Sequence, residues 1–502
     1  MQGPKWLWAS IALALANFVV VLDITIANVS IPHIAGNLGI TPSQGTWVIT
    51  SYAVADAITV PLAGWLSQRF GAIRLFVICM CGFGTFSILC GSSMTLEMLV
   101  IARIGQGLCG GPLMPLTQIL LMRITPIEKQ SASLSLWATT ALSGPALGPI
   151  VGGLISDNLS WHWIFFINIP IILLSLFGVL ALIRSFETPI MRVPIDRIGL
   201  ALLIFWVGAL QIMLDIGREH DWFADPVVVA FAIAALIGFV AFVIWELTEE
   251  HPVVDLRVFA NRTYSICVIG MFFGFGAYFA GVVVIPQWMQ ISLNYTATHA
   301  GLATGFAALV SIVATRFPPL LVARGVDTRM IISGGLLWIG ITMLLRINWT
   351  SGADFWTLAF PQIAMGLGMP FFFVMVAGIS LTAVKPSQVG AAASLQSFLR
   401  TMSMAITTSI AMTFWTDQGR ANGSDLAAKL NPGQTFDTLQ ASGLPMMQAR
   451  VVVAQLVDKE AVTIAADRMF LISGTLLILL SGAFWLLPKA KRPAASGPIA
   501  AH

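Results

Sequence analysis

Charge is what this chain has least of. Of its 502 residues, 26 are Lys or Arg and 23 are Asp or Glu, so 10% are charged, and the mean hydropathy is +0.87. A soluble domain carries roughly 25% charged residues, which excludes water as the main solvent of this fold. The six histidines are scattered. Neither the H-E-x-x-H pattern of a zinc hydrolase nor the G-x-x-x-x-G-K-[ST] loop of a nucleotide hydrolase occurs, which argues against an intramembrane metalloenzyme and a built-in ATPase. The five cysteines (Cys79, Cys81, Cys90, Cys109, Cys267) all fall inside apolar runs, with no Cys/His spacing that suggests a metal. No polar segment is large enough for a signalling domain, and a net charge of +3 is no footprint of nucleic-acid binding.

Long apolar runs are abundant. An uninterrupted stretch of about 18 residues is enough to cross a bilayer as a helix, and 11–32, 227–245 and 470–487 pass that test plainly. The first follows Lys5 like a signal peptide, but it contains Asp23, lacks a convincing small-residue cleavage site and is followed by many more spans; it is expected to be a retained helix. Reading apolar windows between polar or Pro/Gly breaks gives fourteen spans, at about 9–32, 46–66, 74–92, 97–121, 132–155, 161–183, 198–216, 226–246, 264–290, 299–322, 329–347, 355–379, 388–415 and 467–487. Alternate loops differ sharply in basic residues. One side carries Lys5, Arg69, Arg74, Arg123, Lys129, Arg184, Arg192, Arg197, Arg257, Arg262, Arg324, Arg329, Lys385, Lys489, Lys491 and Arg492. The short loops opposite offer little beyond Arg218 and the boundary residue Arg346. The positive-inside rule then expects both termini in the cytoplasm. The longest segment between spans, about 416–467, lies opposite the basic loops. It contains a helix-like stretch from Met446 to Glu460 and reads either as a docking element or as a solvated loop with two short helices.

Two pattern pairs recur at offsets of about 255–261 residues. Arg69 and Arg74 correspond to Arg324 and Arg329, and the run from Ala132 to Trp137 corresponds to the run from Ala393 to Phe398. Their agreement predicts two parallel six-helix bundles separated by a two-helix insert. The expected domains are 1–185, 186–255 and 256–502.

At these residues the chain resembles the major facilitator superfamily, specifically its fourteen-helix drug:proton antiporters of the EmrB type. Helix 1 carries Leu22-Asp23-Ile24-Thr25 running on to Pro32, and helix 4 carries Arg103-Ile104-Gly105-Gln106-Gly107. Helix 5 carries Gly144-Pro145-Ala146-Leu147-Gly148-Pro149-Ile150-Val151-Gly152-Gly153, similar to the motif associated with antiport. The Gln44 to Thr50 entry to helix 2 and the run from Trp161 to Pro170 also resemble the family, with His162 at an unusual position. The loop motif after helix 2 (Gly64, Arg69, Gly71, Arg74) departs from it, with Gln68 where the family has an acid.

The resemblance implies an all-α integral membrane protein with the major facilitator fold. It also implies proton-coupled export of hydrophobic or amphipathic compounds across a bacterial inner membrane. The expected partners are a periplasmic adaptor (EmrA-like) and an outer-membrane channel (TolC-like); no cofactor and no metal are expected. Export of one dedicated metabolite, such as a siderophore, fatty acid or amino acid, is the alternative.

Ionisable groups at membrane depth are costly and are functional candidates by default. Four stand out: Asp23, Asp56, Arg103 and Arg400. Asp23 is expected to carry the proton with Arg103 tuning it, or else the two form a fixed structural ion pair. Asp56 and Arg400 either pair across the bundles in one conformation, or face a water-filled cavity and backbone carbonyls respectively. Gly144, Gly148 and Gly152 recur every four residues and mark a tightly packed helix face. Asn28, Gln106, Gln118, Gln287 and Gln362 are candidates to line a substrate cavity. Along with Asn17 and Gln290, they equally suit helix-to-helix hydrogen bonding.

Overall fold

The computed structural model describes residues 5–126, 129–191, 194, 196–217, 222–430, 432–441 and 445–489. Regular structure among them is helical throughout, as a chain without water around its backbone requires, since a helix satisfies its own N–H and C=O groups.

Helix α1 (Lys5–Leu38) is followed by α2 (Pro42–Thr59) and α3 (Ala63–Phe70), then α4 (Ala72–Gly91), α5 (Leu96–Gly110) and α6 (Leu113–Ile124). Next come α7 (Gln130–Asn158), α8 (Trp163–Phe166) and α9 (Asn168–Leu182), and then α10 (Arg197–Ile216) and α11 (Pro226–Thr248). The remainder comprises α12 (Arg262–Leu293), α13 (Ala297–Ala314), α14 (Phe317–Ala323), α15 (Thr328–Leu344), α16 (Phe355–Thr382), α17 (Val389–Lys429), α18 (Pro432–Ala441) and α19 (Met446–Ala483).

Among the described residues ten helices are long and apolar enough to span a membrane, and the pair α2–α3, bent by 59°, makes an eleventh. The expected fourteen spans are compatible with this count. The remaining three places fall to α7, α15 and α17. The first is rich in Gly, Ser and Thr, the second is a shorter apolar helix of 17 residues, and the third is diluted by polar residues along its 41. The break between α2 and α3 recurs between α13 and α14, roughly 255 residues later, at the offset of the sequence repeat.

Two large cores form. One is built from residues of α1, α4, α6, α7 and α9, the other from α12, α13, α15, α16 and α19. The insert helices α10 and α11 sit outside both. The α11 helix is the least buried span and presents Leu236, Ile237 and Ile244 outward, which suits lipid. The α10 side is stapled to its neighbours. Trp206 stands edge-on to Phe398 of α17 at 5.8 Å, and Ser409 of α17 donates to the Leu214 carbonyl at 2.6 Å.

The segment 416–467 departs from the expectation of a loop. Helix α17 continues to Lys429 and α19 begins at Met446, so two membrane helices extend past the bilayer as a hairpin with α18 beside its tip. The extension holds because the two helices face each other with small residues, Gly419 and Gly423 against Val462 and Ala461, while Asn422 donates to the Ala461 carbonyl at 3.1 Å.

The N- and C-terminal halves meet closely at the end that carries the basic loops. A Cβ at Gly64 of α3 would stand 2.9 Å from the carbonyl oxygen of Gly390 at the start of α17. Across the halves α17 packs on α6 and α3 and only slightly on α2, so α2 and α17 stand apart beyond the α3 contact. Helices α7 and α13 stay together along their length. The Thr139 and Thr315 hydroxyls are 3.0 Å apart near one end, and Gly301 packs on Ile150 near the other.

Candidate functional site

The four intramembrane ionisable residues do not form one site. Asp23 and Arg103 are fully buried inside the N-terminal core and joined by an ion pair of 2.6 Å. Helix α1 supplies Asp23 and α5 supplies Arg103; α9 supplies Asn168. The Asp23 carboxylate accepts from Arg103 on one oxygen, and from Gln106 Nε2 at 3.0 Å and Asn168 Nδ2 at 2.8 Å on the other. Arg103 also donates to Gln106 Oε1 at 2.9 Å and to the Val48 carbonyl of α2 at 3.0 Å, and its guanidinium lies 4.2 Å from the Tyr52 ring centre. Asn168 is steadied by the Ser87 hydroxyl at 3.0 Å, which itself donates to the Phe165 carbonyl.

Five helices thus converge on one carboxylate. Each buried charge is neutralised and hydrogen-bonded, the condition under which burial is tolerated. Among the described residues one donor, Arg103 Nη2, has no hydrogen-bond partner, and neither has the Tyr52 hydroxyl. A network with spare donors next to a carboxylate is a place where a proton exchange changes the hydrogen-bond count.

Each position of the helix 4 motif has a physical task. Arg103 and Gln106 are the Asp23 ligands just described, and Gly107 brings α2 close. A Cβ there would stand 2.5 Å from the Tyr52 carbonyl oxygen. The antiport motif on α7 works the same way against α1. Cβ atoms on Gly144, Gly148 and Gly152 would come within 2.4, 2.1 and 3.0 Å of Val21, Thr25 and Ile26. The Thr25 hydroxyl donates to the Gly144 carbonyl at 3.1 Å, and Asn17 bridges to Trp137 and Thr140. The glycine face therefore seals α7 onto α1 within the N-terminal half rather than across the halves. Gly153 is buried on the same helix; the side chains of Pro145 and Pro149 lie outside the described residues.

Asp56 and Arg400 do not touch in this conformation. Asp56 is buried on α2, and its carboxylate has no hydrogen bond or ion pair among the described residues. Arg400 instead reaches from α17 into the N-terminal half. Its Nη2 lies 2.6 Å from Met114 Sδ, and its guanidinium lies 5.2 Å from the Trp137 ring and 5.9 Å from Phe275. Aromatic faces substitute in part for a counter-ion.

The cavity candidates divide. Gln106 belongs to the Asp23 cluster, because its amide satisfies both members of the ion pair. Gln362 is fixed by Arg346 at 3.2 Å. Gln118 is fully buried with neither amide atom partnered among the described residues, Gln287 is half-buried, and Asn28 is exposed. Gln290 bonds its own helix at the Pro286 carbonyl.

The loop motif acquires its acid from elsewhere. Glu187, in the linker after α9, accepts from the Ile73 and Arg74 backbone N–H groups at 2.9 and 3.0 Å, and Thr188 Oγ1 accepts from Ala72 at 2.8 Å. A carboxylate on the open N–H groups of a helix N-terminus is favourable, so Glu187 caps α4 where Gln68 does not. Gly71, with φ +88°, turns the chain beside it, and a Cβ there would meet that carboxylate at 2.8 Å. Arg123 holds the linker by donating to the Phe186 and Glu187 carbonyls at 2.9 and 2.7 Å.

Sequence reasoning missed Glu187, the ligand role of Asn168 and the burial of Arg346. Asn168 sits inside a quoted motif, which was a usable signal. For Glu187, more than a hundred residues from the loop, nothing local was available.

The family model for the Major Facilitator Superfamily matches residues 13–408. The chain is 38% identical to the multidrug export protein EmrB of Escherichia coli (strain K12), over 99% of this chain and 98% of that protein. It is equally 38% identical to the fatty acid resistance protein FarB of Neisseria gonorrhoeae, again over 99% and 98%. Among solved structures it superposes on a bacterial homolog of the human lysosomal transporter Spinster, in an inward-facing and unoccupied conformation. The TM-score is 0.56 at 14% identity, covering 97% of this chain and 98% of that one, a likeness of fold alone.

Proposed function

This chain belongs to the major facilitator superfamily, EmrB type, and from that premise we propose that it is a multidrug efflux transporter that exchanges protons for hydrophobic or amphipathic compounds. The observation that carries the coupling is the Asp23–Arg103–Gln106–Asn168 cluster. The Asp23 carboxylate accepts from Arg103 and Gln106 of α5 and from Asn168 of α9, so its hydrogen bonds tie α1, α5 and α9 together. Protonating it releases Arg103 and loosens the α1–α5–α9 contact, and that gives the proton a grip on the shape of the N-terminal half.

The orientation follows from the basic loops. With both termini in the cytoplasm of a bacterial inner-membrane protein, the Gly64–Gly390 contact closes the cytoplasmic side and the separation of α2 from α17 opens the outer side. The domains are 1–185 and 256–502, which rock about the α7–α13 seam, with 186–255 as a lipid-facing brace. Asp56 is a second protonatable group, paired with Arg400 only in another conformation; rescue of the single variants by the swap Asp56→Arg with Arg400→Asp tests this. The extended α17–α19 hairpin reaches beyond the outer face, where it meets a periplasmic adaptor of a tripartite system that ends in an outer-membrane channel. A dedicated exporter of one amphiphile is the second reading, supported by the equal identity to FarB.

The test is efflux of a lipophilic dye panel from sealed proteoliposomes under an imposed proton gradient. Asp23→Asn is expected to abolish the dependence on the gradient. Unchanged gradient-driven transport in that variant removes Asp23 from the mechanism.

A further inference from the structure

The C-terminal core contains a buried cation that the coupling scheme does not use. Arg346, two residues past the end of α15, has no exposed surface and no carboxylate within ion-pair distance among the described residues. Its contacts are all uncharged: the Gln362 amide Oε1 at 3.2 Å and the weakly accepting sulfurs of Met343 and Met365 at 3.1 and 3.3 Å. The rings of Trp349 and Phe470 lie 5.8 and 5.9 Å away. An uncompensated buried charge is among the most costly features a fold carries. Two donors there, Arg346 Nε and Gln362 Nε2, are buried with no hydrogen-bond partner among the described residues.

Arg346 and Gln362 line a narrow cavity of about 30 Å³ between α12, α13, α15 and α16, with Tyr278, Ile285 and Met365 among its walls. The half-buried Val282, Pro286 and Thr304 mark its mouth. The groups left open there are donors, the charge is positive, and the other walls are mostly aliphatic or thioether. Such a site selects an anion carried on an apolar body. Guanidinium favours the planar two-oxygen geometry of a carboxylate, and the narrow space disfavours a bulkier tetrahedral headgroup.

We propose that the Arg346–Gln362 cavity is a binding site for the carboxylate head of an amphipathic substrate, whose apolar chain leaves past the mouth between α12 and α13. This deepens the efflux reading, because it adds a substrate class to a pump whose coupling residues lie in the other half of the molecule.

The experiment uses the purified full-length chain in lipid nanodiscs, with radiolabelled dodecanoate as probe and dodecanol, dodecyltrimethylammonium and formate as competitors. Wild type is expected to prefer dodecanoate to dodecanol by at least tenfold. Arg346→Gln removes that preference by weakening dodecanoate about tenfold, and Gln362→Leu weakens dodecanoate by about threefold or more. A folded Arg346→Gln that still prefers dodecanoate overturns the proposal, as does formate competing as well as dodecanoate, which marks a small-anion pocket only. Should Arg346→Gln not fold, Gln362→Leu decides, and undiminished dodecanoate binding in it overturns the proposal. Binding needs no proton gradient, so it is read separately from transport. Wild type that binds dodecanoate but exports no lipophile refutes the efflux reading and leaves the site intact. Export of dodecyltrimethylammonium without any preference for dodecanoate refutes the site alone.

Discussion

Gly64→Ala is expected to push the transporter away from the conformation seen here. The Cβ of alanine would stand 2.9 Å from the Gly390 carbonyl oxygen, 3.0 Å from its carbonyl carbon and 3.1 Å from the Ala391 nitrogen. All three are backbone atoms, so no rotamer change relieves the contact, and α3 and α17 must part by roughly half an ångström. Overpacking of this kind costs about 1–3 kcal/mol. Only the state in which the two helices touch bears the cost, so its population relative to the alternative falls by about 5- to 150-fold. Spin labels at the exposed positions Phe70 and Ser387, in a cysteine-free background, report the separation of the two loops by pulsed electron resonance. The mean distance is expected to lengthen in Gly64→Ala, and further in Gly64→Val. Gly334→Ala is the control, because a Cβ there meets nothing within 4 Å. A folded Gly64→Ala with the wild-type distance distribution refutes the idea that this contact is the closed gate.

Asn168→Leu removes two hydrogen bonds, one to the Asp23 carboxylate and one to Ser87. A loss of about 2–4 kcal/mol of stability is expected by thermal unfolding in detergent, and a loss below 1 kcal/mol contradicts the clamp. Asp23→Asn leaves Arg103 buried without its counter-ion, which costs about 3–5 kcal/mol; adding Arg103→Gln is expected to recover part of it in the same melt. Glu187→Ala uncaps α4 and is expected to cost about 1–2 kcal/mol, whereas Gln68→Ala is expected to cost little. Gly148→Val would drive α7 from α1, because even a Cβ meets Thr25 at 2.1 Å. Loss of folded protein in size-exclusion chromatography is the expected outcome, and a monodisperse, active variant argues against the seal.

Much of the fold was legible from composition and periodicity. A chain this poor in charge has to satisfy its backbone internally, which dictates helices. The Asp23–Arg103 ion pair was also within reach, since two opposite charges in apolar helices of one bundle are cheapest when together. Partners set by side-chain direction were not legible. Sequence patterns alone did not tell that Gln106 turns to Asp23 and not to a cavity, that Arg400 rests on Trp137 and Met114 rather than Asp56, or that Glu187 replaces the missing acid of the loop. Polar runs after span 13 read as a loop because hydropathy measures contact with lipid; helical continuation there depends on Gly419 and Gly423 packing against α19. The sequence by itself determined which groups are held in oil. Only the tertiary structure decided which of them neutralise one another and which, like Arg346, have no charged partner among the described residues, because that depends on distances of a few ångströms between helices far apart in the chain.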